Sequence, residues 1–238
     1  MIASGHRVLL YALAILLCGV AAPGRAGRDV VLVELYTSQG CSSCPPADRL
    51  LGELVGRDDV LPLSLHVDYW DYLGWRDTFG MPEVTERQKQ YRDAWDARYV
   101  YTPQMVVDGR VEVRGARADE LDAAIAAARA DAPSAWIELT AEGAVLRYAM
   151  GGAPEGSVVW LAQYDRERTV EIERGENAGR QMTYHNVVRS IEALGTVSAV
   201  GEDDLVMPLP EAGRGVAIWL QEPGGGRILA VARHGPTS

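Results

Sequence analysis

The sequence predicts an α/β domain followed by a mainly β, sandwich-like domain. In the first half of the chain, apolar β-branched runs alternate with stretches of helical spacing, whereas the second half has short alternating runs separated by glycine-containing turns. The composition changes at Asp131-Ala132-Pro133. We therefore expect the first domain at residues 27–132 and the second at 133–238.

The first element is predicted to be a strand that is buried on both faces of its sheet. Residues 30–36 (VVLVELY) are apolar except for Glu34 and rich in β-branched side chains. Residues 37–40 (TSQG) form a polar turn, and Pro45 and Pro46 then begin a helix with leucines at helical spacing. A short loop therefore connects a buried strand to a helix.

The same periodicities predict the other elements of both domains. In the first domain they indicate strands at 60–67, 104–107 and 110–114, and helices at 83–99 and 119–130. In the second domain they indicate strands at 136–140, 144–150, 158–164, 216–221 and 227–232, of which the last two form a hairpin. Several short strands in about 105 residues are typical of a sandwich.

Residues 1–26 have the layout of a secretory signal peptide. Arg7 precedes an apolar stretch at 8–20, and small residues follow up to Ala26. Because a membrane-spanning helix needs roughly 20 residues, we expect cleavage, a periplasmic or secreted protein, and no stable membrane insertion. An uncleaved anchor and lipidation of Cys18 are the alternatives. After cleavage, Cys41 and Cys44 are the cysteines that remain.

The charge of the chain excludes one class of partner. Asp and Glu number 33 against 23 Lys and Arg, which gives a net charge of −10, and the sequence has no basic stripe. A nucleic-acid-binding protein needs such a stripe to neutralise phosphates. We therefore expect no nucleic-acid partner.

The most informative motif is the C-x-x-C formed by Cys41 and Cys44 between the first strand and the helix. Backbone N–H groups and the dipole at a helix N-terminus stabilise a thiolate, so Cys41 is expected to attack and Cys44 to resolve the mixed disulfide. A bridge around two residues would be a poor structural staple, and zinc needs about four ligands. The motif therefore predicts thiol-disulfide exchange without a dissociable cofactor.

Two other classes of function stay open. A copper-handling protein would use the two cysteines together with a histidine or Met105 as soft ligands, and tight binding of Cu(I) would favour it. An interaction module would carry the cysteines as an inert disulfide that resists mild reductant.

A proline before a later strand is a second, independent feature. Residues 101–109 (YTPQMVVDG) contain Pro103 at the start of an apolar strand that ends in an Asp-Gly hairpin signal. Together with the C-x-x-C, this arrangement resembles the thioredoxin fold, in which a cis-proline faces the cysteines. The resemblance implies that Pro103 is cis and that the backbone of Thr102 binds an extended substrate segment.

Three longer strings resemble a more specific family. Residues 34–48 (ELYTSQGCSSCPPAD), 66–75 (HVDYWDYLGW) and 174–180 (RGENAGR) are similar to a bacterial secreted thioredoxin-like family of unknown function, domain of unknown function 1223. The resemblance covers nearly all of the mature chain and implies its fold and export, but no substrate. Unlike thioredoxin, the chain has Gly40 before the first cysteine and two serines between the cysteines.

Glu34 is the remaining candidate for the site. Thioredoxins carry a buried acid on the strand that leads to the active site, and the resemblance implies a similar place for Glu34. Burial would raise its pKa and let it exchange a proton with Cys44. The alternative is a glutamate that reaches solvent.

Other polar groups have no predicted mechanism. Packing of inserted helices is the main interpretation of the aromatic segment at 66–79, with metal ligation by His66, Asp68 and Asp71 as an alternative. For the polar residues at 176–177 and 184–186, loop hydrogen bonding is the default. The sequence as a whole predicts an exported thiol-disulfide oxidoreductase that acts on a protein or peptide and exchanges electrons with a redox partner protein.

Overall fold

The computed structural model describes residues 30–131, 133–198, 204–211 and 213–235. The predicted signal peptide at 1–26, including Cys18, lies outside these residues. Within the described ranges, no helix combines the length and the hydropathy that crossing a membrane requires.

The described residues form eleven strands, three α-helices and one short 3-10 helix. In chain order they are β1 (Val31–Thr37), α1 (Pro45–Glu53), β2 (Val60–His66), the 3-10 helix (Asp71–Leu73), α2 (Pro82–Ala94), β3 (Gln104–Val107), β4 (Val111–Arg114), α3 (Ala118–Ala130), β5 (Trp136–Glu142), β6 (Val145–Gly151), β7 (Val158–Ile172), β8 (Arg180–Thr196), β9 (Asp204–Pro208), β10 (Arg214–Gln221) and β11 (Ile228–His234). Most of the predicted strands and helices are therefore confirmed as individual elements.

The predicted fold class, an α/β thioredoxin-like domain followed by a β-sandwich, is wrong. Eight strands form one mixed sheet in the order β11-β10-β7-β8-β2-β1-β3-β4, and β5, β6 and β9 form a second sheet. Strands hold 44% of the described residues and helices 19%. The physical reason is the parallel pairing of β8 with β2 at Val187 and Ser64, which extends the first sheet with strands from the second half of the chain. The domain boundary at 132/133 stays a prediction.

Side chains of β1 alternate between the two faces of this sheet. The odd-numbered residues pack with α1 and α3, whereas the even-numbered ones pack with α2, β7 and β10. Thr37, the last residue of β1, accordingly bonds to α1, and Glu34 bonds to α2. We call these the α1 face and the α2 face.

The functional candidates lie at one edge of the sheet because of the strand register. β1 and β2 are parallel, with Thr37 beside His66, so both strands end at this edge. β3 is antiparallel to β1, with Gln104 beside Tyr36, so β3 begins there. The C-x-x-C follows β1 and the Thr102-Pro103 pair precedes β3, which brings both to the same edge.

Candidate functional site

Cys41 and Cys44 form a disulfide at the start of α1, with their Cα atoms 5.4 Å apart. Cys44 has helical backbone angles, and its carbonyl accepts hydrogen bonds from the N–H groups of Ala47 and Asp48. Sγ of Cys41 lies 3.4 Å from the hydroxyl oxygen of Ser43. Cys41 is 2% exposed and Cys44 0%. The disulfide is thus covered, although the two serines between its cysteines reach solvent.

The turn between β7 and β8 is hydrogen-bonded to the C-x-x-C loop, and we call its residues 173–179 the cover turn. Asn177 is fully buried and donates hydrogen bonds from Nδ2 to the carbonyl oxygens of Gln39 and Cys41, each at 2.9 Å. The carboxylate of Glu176 accepts a hydrogen bond from the N–H of Ser42 at 3.3 Å. The hydrogen bonding expected at 176–177 is therefore confirmed, and its partner is the C-x-x-C loop.

A buried acid lies one helical turn after the second cysteine. Asp48 is 4% exposed, and its Oδ1 accepts a hydrogen bond from the hydroxyl of Thr37 at 2.7 Å. Its Oδ2 has no hydrogen-bond partner among the described residues. Burial raises the pKa of Asp48 to about 7, although the Thr37 hydrogen bond and the nearby His66 act in the opposite direction. This carboxyl therefore gains and loses a proton near neutral pH.

His66 and Asp77 form a second buried polar pair on the same face. Oδ2 of Asp77 lies 2.8 Å from Nδ1 of His66 and accepts the N–H of Gln39 at 2.7 Å. Burial opposes ionisation of Asp77, but His66 and the N–H groups of Gln39 and Phe79 outweigh it and hold the pKa of Asp77 below its ordinary value. Because an ionised Asp77 only accepts, Nδ1 of His66 carries the shared proton. Nε2 is buried without a hydrogen-bond partner in the described part of the chain.

The residues that the sequence offered as metal ligands have other contacts. Asp68 accepts a hydrogen bond from the hydroxyl of Thr85 at 2.6 Å, and Asp71 accepts the N–H of Asp77 at 3.0 Å. Met105 is fully buried in the apolar core beneath α1 and α3. In the ranges that the structure describes, no group of three or more His, Cys, Asp or Glu side chains is arranged to hold a metal ion.

Glu34 is buried on the α2 face, where it forms an ion pair. Its carboxylate accepts hydrogen bonds from Arg87 at 2.6 and 3.1 Å and from the hydroxyl of Tyr91 at 2.6 Å. The guanidinium of Arg87 also lies over the rings of Trp160 and Trp219. The alternative of a solvent-facing Glu34 is therefore wrong, and its predicted proton exchange with Cys44 stays a prediction.

Thr102 and Pro103 are joined by a cis peptide bond, as the resemblance implied. The hydroxyl oxygen of Thr102 accepts a hydrogen bond from the indole N–H of Trp70 at 2.8 Å. A Cβ added at Gly40 would lie 3.1 Å from the Cβ of Trp70, so a larger residue at position 40 would press on this tryptophan. Trp70 thus links Thr102 to the residue before Cys41. The role of Thr102 and Pro103 in substrate binding stays a prediction.

The disulfide, the buried acid and the cover turn all lie within residues 32–221, which match the family described as "Protein of unknown function (DUF1223)". The chain belongs to this family. A crystal structure of a protein from Agrobacterium tumefaciens is similar, with 31% sequence identity and a TM-score of 0.75 over 87% of this chain and 95% of that chain. No curated protein matches the chain. Membership in the DUF1223 family therefore brings no reaction with it.

Two residues of the candidate site in this DUF1223 protein, Asp48 and Asn177, were not given these roles from the sequence. For Asp48 a signal exists, because positions 44 and 48 are four residues apart in a helix and share one face. For Asn177 no local signal exists, since its bond to Cys41 spans 136 residues of sequence.

Proposed function

We propose that this protein is an exported thiol-disulfide oxidoreductase that acts on a protein or peptide through Cys41 and Cys44. The observation that carries the proposal is the Cys41–Cys44 disulfide at the start of α1, with the buried carboxyl of Asp48 one helical turn beyond it. The helix start stabilises one sulfur as a thiolate, and the carboxyl exchanges a proton near neutral pH.

Cys41 is the sulfur that meets the substrate in this proposal. Cys44 is 0% exposed, whereas Cys41 is 2% exposed and is followed directly by the exposed Ser42. The Ser43 hydroxyl, 3.4 Å from Sγ of Cys41, can donate a hydrogen bond to a thiolate. Both features favour Sγ of Cys41 as the sulfur that attacks a substrate disulfide and that a substrate thiolate attacks in the reverse direction.

In one direction the proposed reaction oxidises the thiols of the substrate. A substrate thiolate attacks Sγ of Cys41, a mixed disulfide forms, and the Cys41–Cys44 bond breaks with Cys44 leaving as a thiolate. Protonated Asp48 gives its proton to Cys44. A second substrate thiolate then attacks the substrate sulfur, and Cys41 leaves. Two electrons pass from substrate to protein, and the same steps in reverse reduce a substrate disulfide.

Substrate recognition is the second part of the proposal. An extended substrate segment is proposed to form strand-like hydrogen bonds with the backbone of Thr102, a residue that is 9% exposed and precedes the buried Pro103. The support for this position is the register of β1 and β3, which have Gln104 opposite Tyr36 next to the C-x-x-C loop. No dissociable cofactor is needed, because a redox partner protein restores the cysteine pair.

Export to the periplasm or beyond completes the proposal. The layout of residues 1–26 supports it, and disulfides persist mainly in such oxidising compartments.

The experiment that tests the reaction is the trapping of mixed disulfides. Cys44→Ser retains the proposed attacking sulfur and lacks the resolving one, so this variant should accumulate a mixed disulfide when it is mixed with oxidised glutathione. Cys41→Ser is the matched control, because it also retains one cysteine, and it should trap little. The adduct is measured by intact-protein mass spectrometry. Equal trapping by the two variants, or none by either, contradicts the proposal.

A further inference from the structure

The cover turn is hydrogen-bonded to the backbone around the sulfur that the proposed function uses. Disulfide exchange requires the incoming sulfur to reach Sγ of Cys41. Yet Cys41 is only 2% exposed, whereas Ser42 and Ser43 beside it are exposed. Glu176 and Asn177 contact the backbone on both sides of Cys41, at Ser42 and at Gln39. Because Cys41 is buried, a covering segment has to move before a substrate sulfur reaches it, and the cover turn is bonded to the backbone on both sides of Cys41.

We propose that the cover turn is a gate over the disulfide and that Asn177 is the positioning residue that holds it closed. The inference rests on the proposed function, because a gate matters only if Cys41 reacts. It adds that access to Cys41, and not only the chemistry of the two sulfurs, limits the rate of exchange.

The bonds of Asn177 support this role. Both of its Nδ2 hydrogen bonds go to carbonyl oxygens of the C-x-x-C loop, and its Oδ1 accepts a hydrogen bond from Arg180 at 3.0 Å. A buried amide normally needs such partners. Here the partners of Nδ2 belong to a loop 136 and 138 residues away, so this side chain fastens the cover turn to the site.

Two glycines set the backbone conformation of the cover turn, and a tryptophan packs against it. Gly175 and Gly179 have φ angles of 78° and 77°, a region that favours glycine. A Cβ at Gly175 would lie 3.2 Å from the Cβ of Trp75, so the turn packs closely there, whereas Gly179 has open space around it. The indole N–H of Trp75 also donates to Oε1 of Gln39 at 2.8 Å. Gln39 is therefore held by Trp75 through its side chain and by Asn177 through its carbonyl.

Removal of the Asn177 amide should open the gate more often. Two neutral hydrogen bonds between protein groups together shift an equilibrium by about tenfold or more. Asn177→Ala should therefore increase the rate at which dithiothreitol reduces the Cys41–Cys44 disulfide by about tenfold. In this reaction dithiothreitol is oxidised to its cyclic disulfide and both cysteines become thiols, so electrons and protons balance.

The experiment measures this rate on the full folded protein by quenching with iodoacetamide and counting alkylated cysteines by mass spectrometry. Asn186→Ala is the matched control. Asn186 is also a buried asparagine and donates from Nδ2 to the carbonyl of Pro62 at 2.8 Å, away from the cover turn. Loss of the Asn186 side chain lowers the stability of the protein but leaves the bonds of the cover turn in place. The disulfide of Asn186→Ala should therefore be reduced at the wild-type rate.

The outcomes distinguish a failure of the gate alone from a failure of the proposed function. If the wild-type disulfide is reduced and Asn177→Ala is no faster, or if Asn186→Ala is accelerated equally, the gate is refuted while the oxidoreductase stands. If dithiothreitol reduces neither the wild type nor Asn177→Ala, the disulfide is inert and both proposals fall. Glu176→Ala changes an exposed residue and removes only the bond to Ser42, so it tests the gate even if Asn177→Ala does not fold. It should accelerate reduction by about twofold to fivefold, and an unchanged rate counts against the gate.

Discussion

Asp48→Asn should make the oxidised protein more stable relative to wild type as the pH rises from 5 to 8. The substitution keeps the size of the side chain and an oxygen for the Thr37 hydroxyl, but it removes the carboxyl. In the unfolded chain Asp48 loses its proton near pH 4, whereas burial raises its pKa in the folded protein to about 7. Between these values the folded state binds the extra proton, so the free energy of unfolding of the wild type falls as pH rises.

The size of the effect follows from the difference between the two pKa values. Each pKa unit corresponds to about 1.4 kcal/mol, and the folded and unfolded values differ by about 3 units. The wild type therefore loses about 4 kcal/mol of stability over the whole titration, of which about 2.5 kcal/mol falls between pH 5 and pH 8. The asparagine variant lacks this loss. The new amide group can also change the free energy of unfolding by an amount that does not depend on pH. This amount cancels when the difference in unfolding free energy between variant and wild type at pH 5 is subtracted from the difference at pH 8.

The assay is urea unfolding of both proteins at pH 5, 6, 7 and 8, followed by far-ultraviolet circular dichroism with the disulfide intact. All other titratable side chains are common to the two proteins, and among them His66, Asp77, Arg49 and Tyr184 act electrostatically with Asp48. The difference in the free energy of unfolding should grow by about 2.5 kcal/mol from pH 5 to pH 8. A constant difference would show that Asp48 does not titrate in this range.

Three further predictions concern the neighbouring candidates. Glu34→Gln should lower the free energy of unfolding by about 3–5 kcal/mol, because it leaves the buried Arg87 without its anionic partner, and urea unfolding at pH 7 measures this. If Asp48 is the proton donor, Asp48→Asn should slow the resolution of mixed disulfides near pH 7 more than Glu34→Gln does, and the opposite order in quenched-flow experiments would give Glu34 its predicted role. Thr102→Ala removes the acceptor of the Trp70 indole N–H, so it should raise KM for a cysteine-containing peptide several-fold while the rate with dithiothreitol stays unchanged. Equal effects on both thiols would remove Thr102 from the substrate site.

Individual elements near the site were predictable because their signals are local. The strand predicted at 30–36 differs from β1 by one residue at each end, and the strand predicted at 104–107 coincides with β3. Pro45 begins α1 as expected, because a proline at the first helical position loses no hydrogen bond. The alternation of apolar residues and the position of a proline can be read within one short segment, so predicting these elements requires no information about distant parts of the chain.

The architecture could not be predicted because it depends on long strands and one distant pairing. The sequence indicated only residues 158–164 of β7, since residues 166–169 in its second half are charged or polar and exposed. β8 was not predicted at all, although its 17 residues connect the two halves of the large sheet. Val187 of β8 pairs with Ser64, and no periodicity within either segment indicates that partner.

Strand alternation explains why Glu34 and α1, the helix that follows the disulfide, lie on opposite faces of the sheet. Residues two apart in a strand share a face, so Glu34 lies with Tyr36 on the α2 face, and Thr37 lies on the opposite one. The helix that Cys44 precedes packs on the α1 face, and a carboxyl that exchanges a proton directly with Cys44 is expected on that face. Asp48, which Thr37 contacts at 2.7 Å, meets this condition. Glu34 is buried in the opposite layer, where Arg87 neutralises it because a buried charge needs a partner of its own.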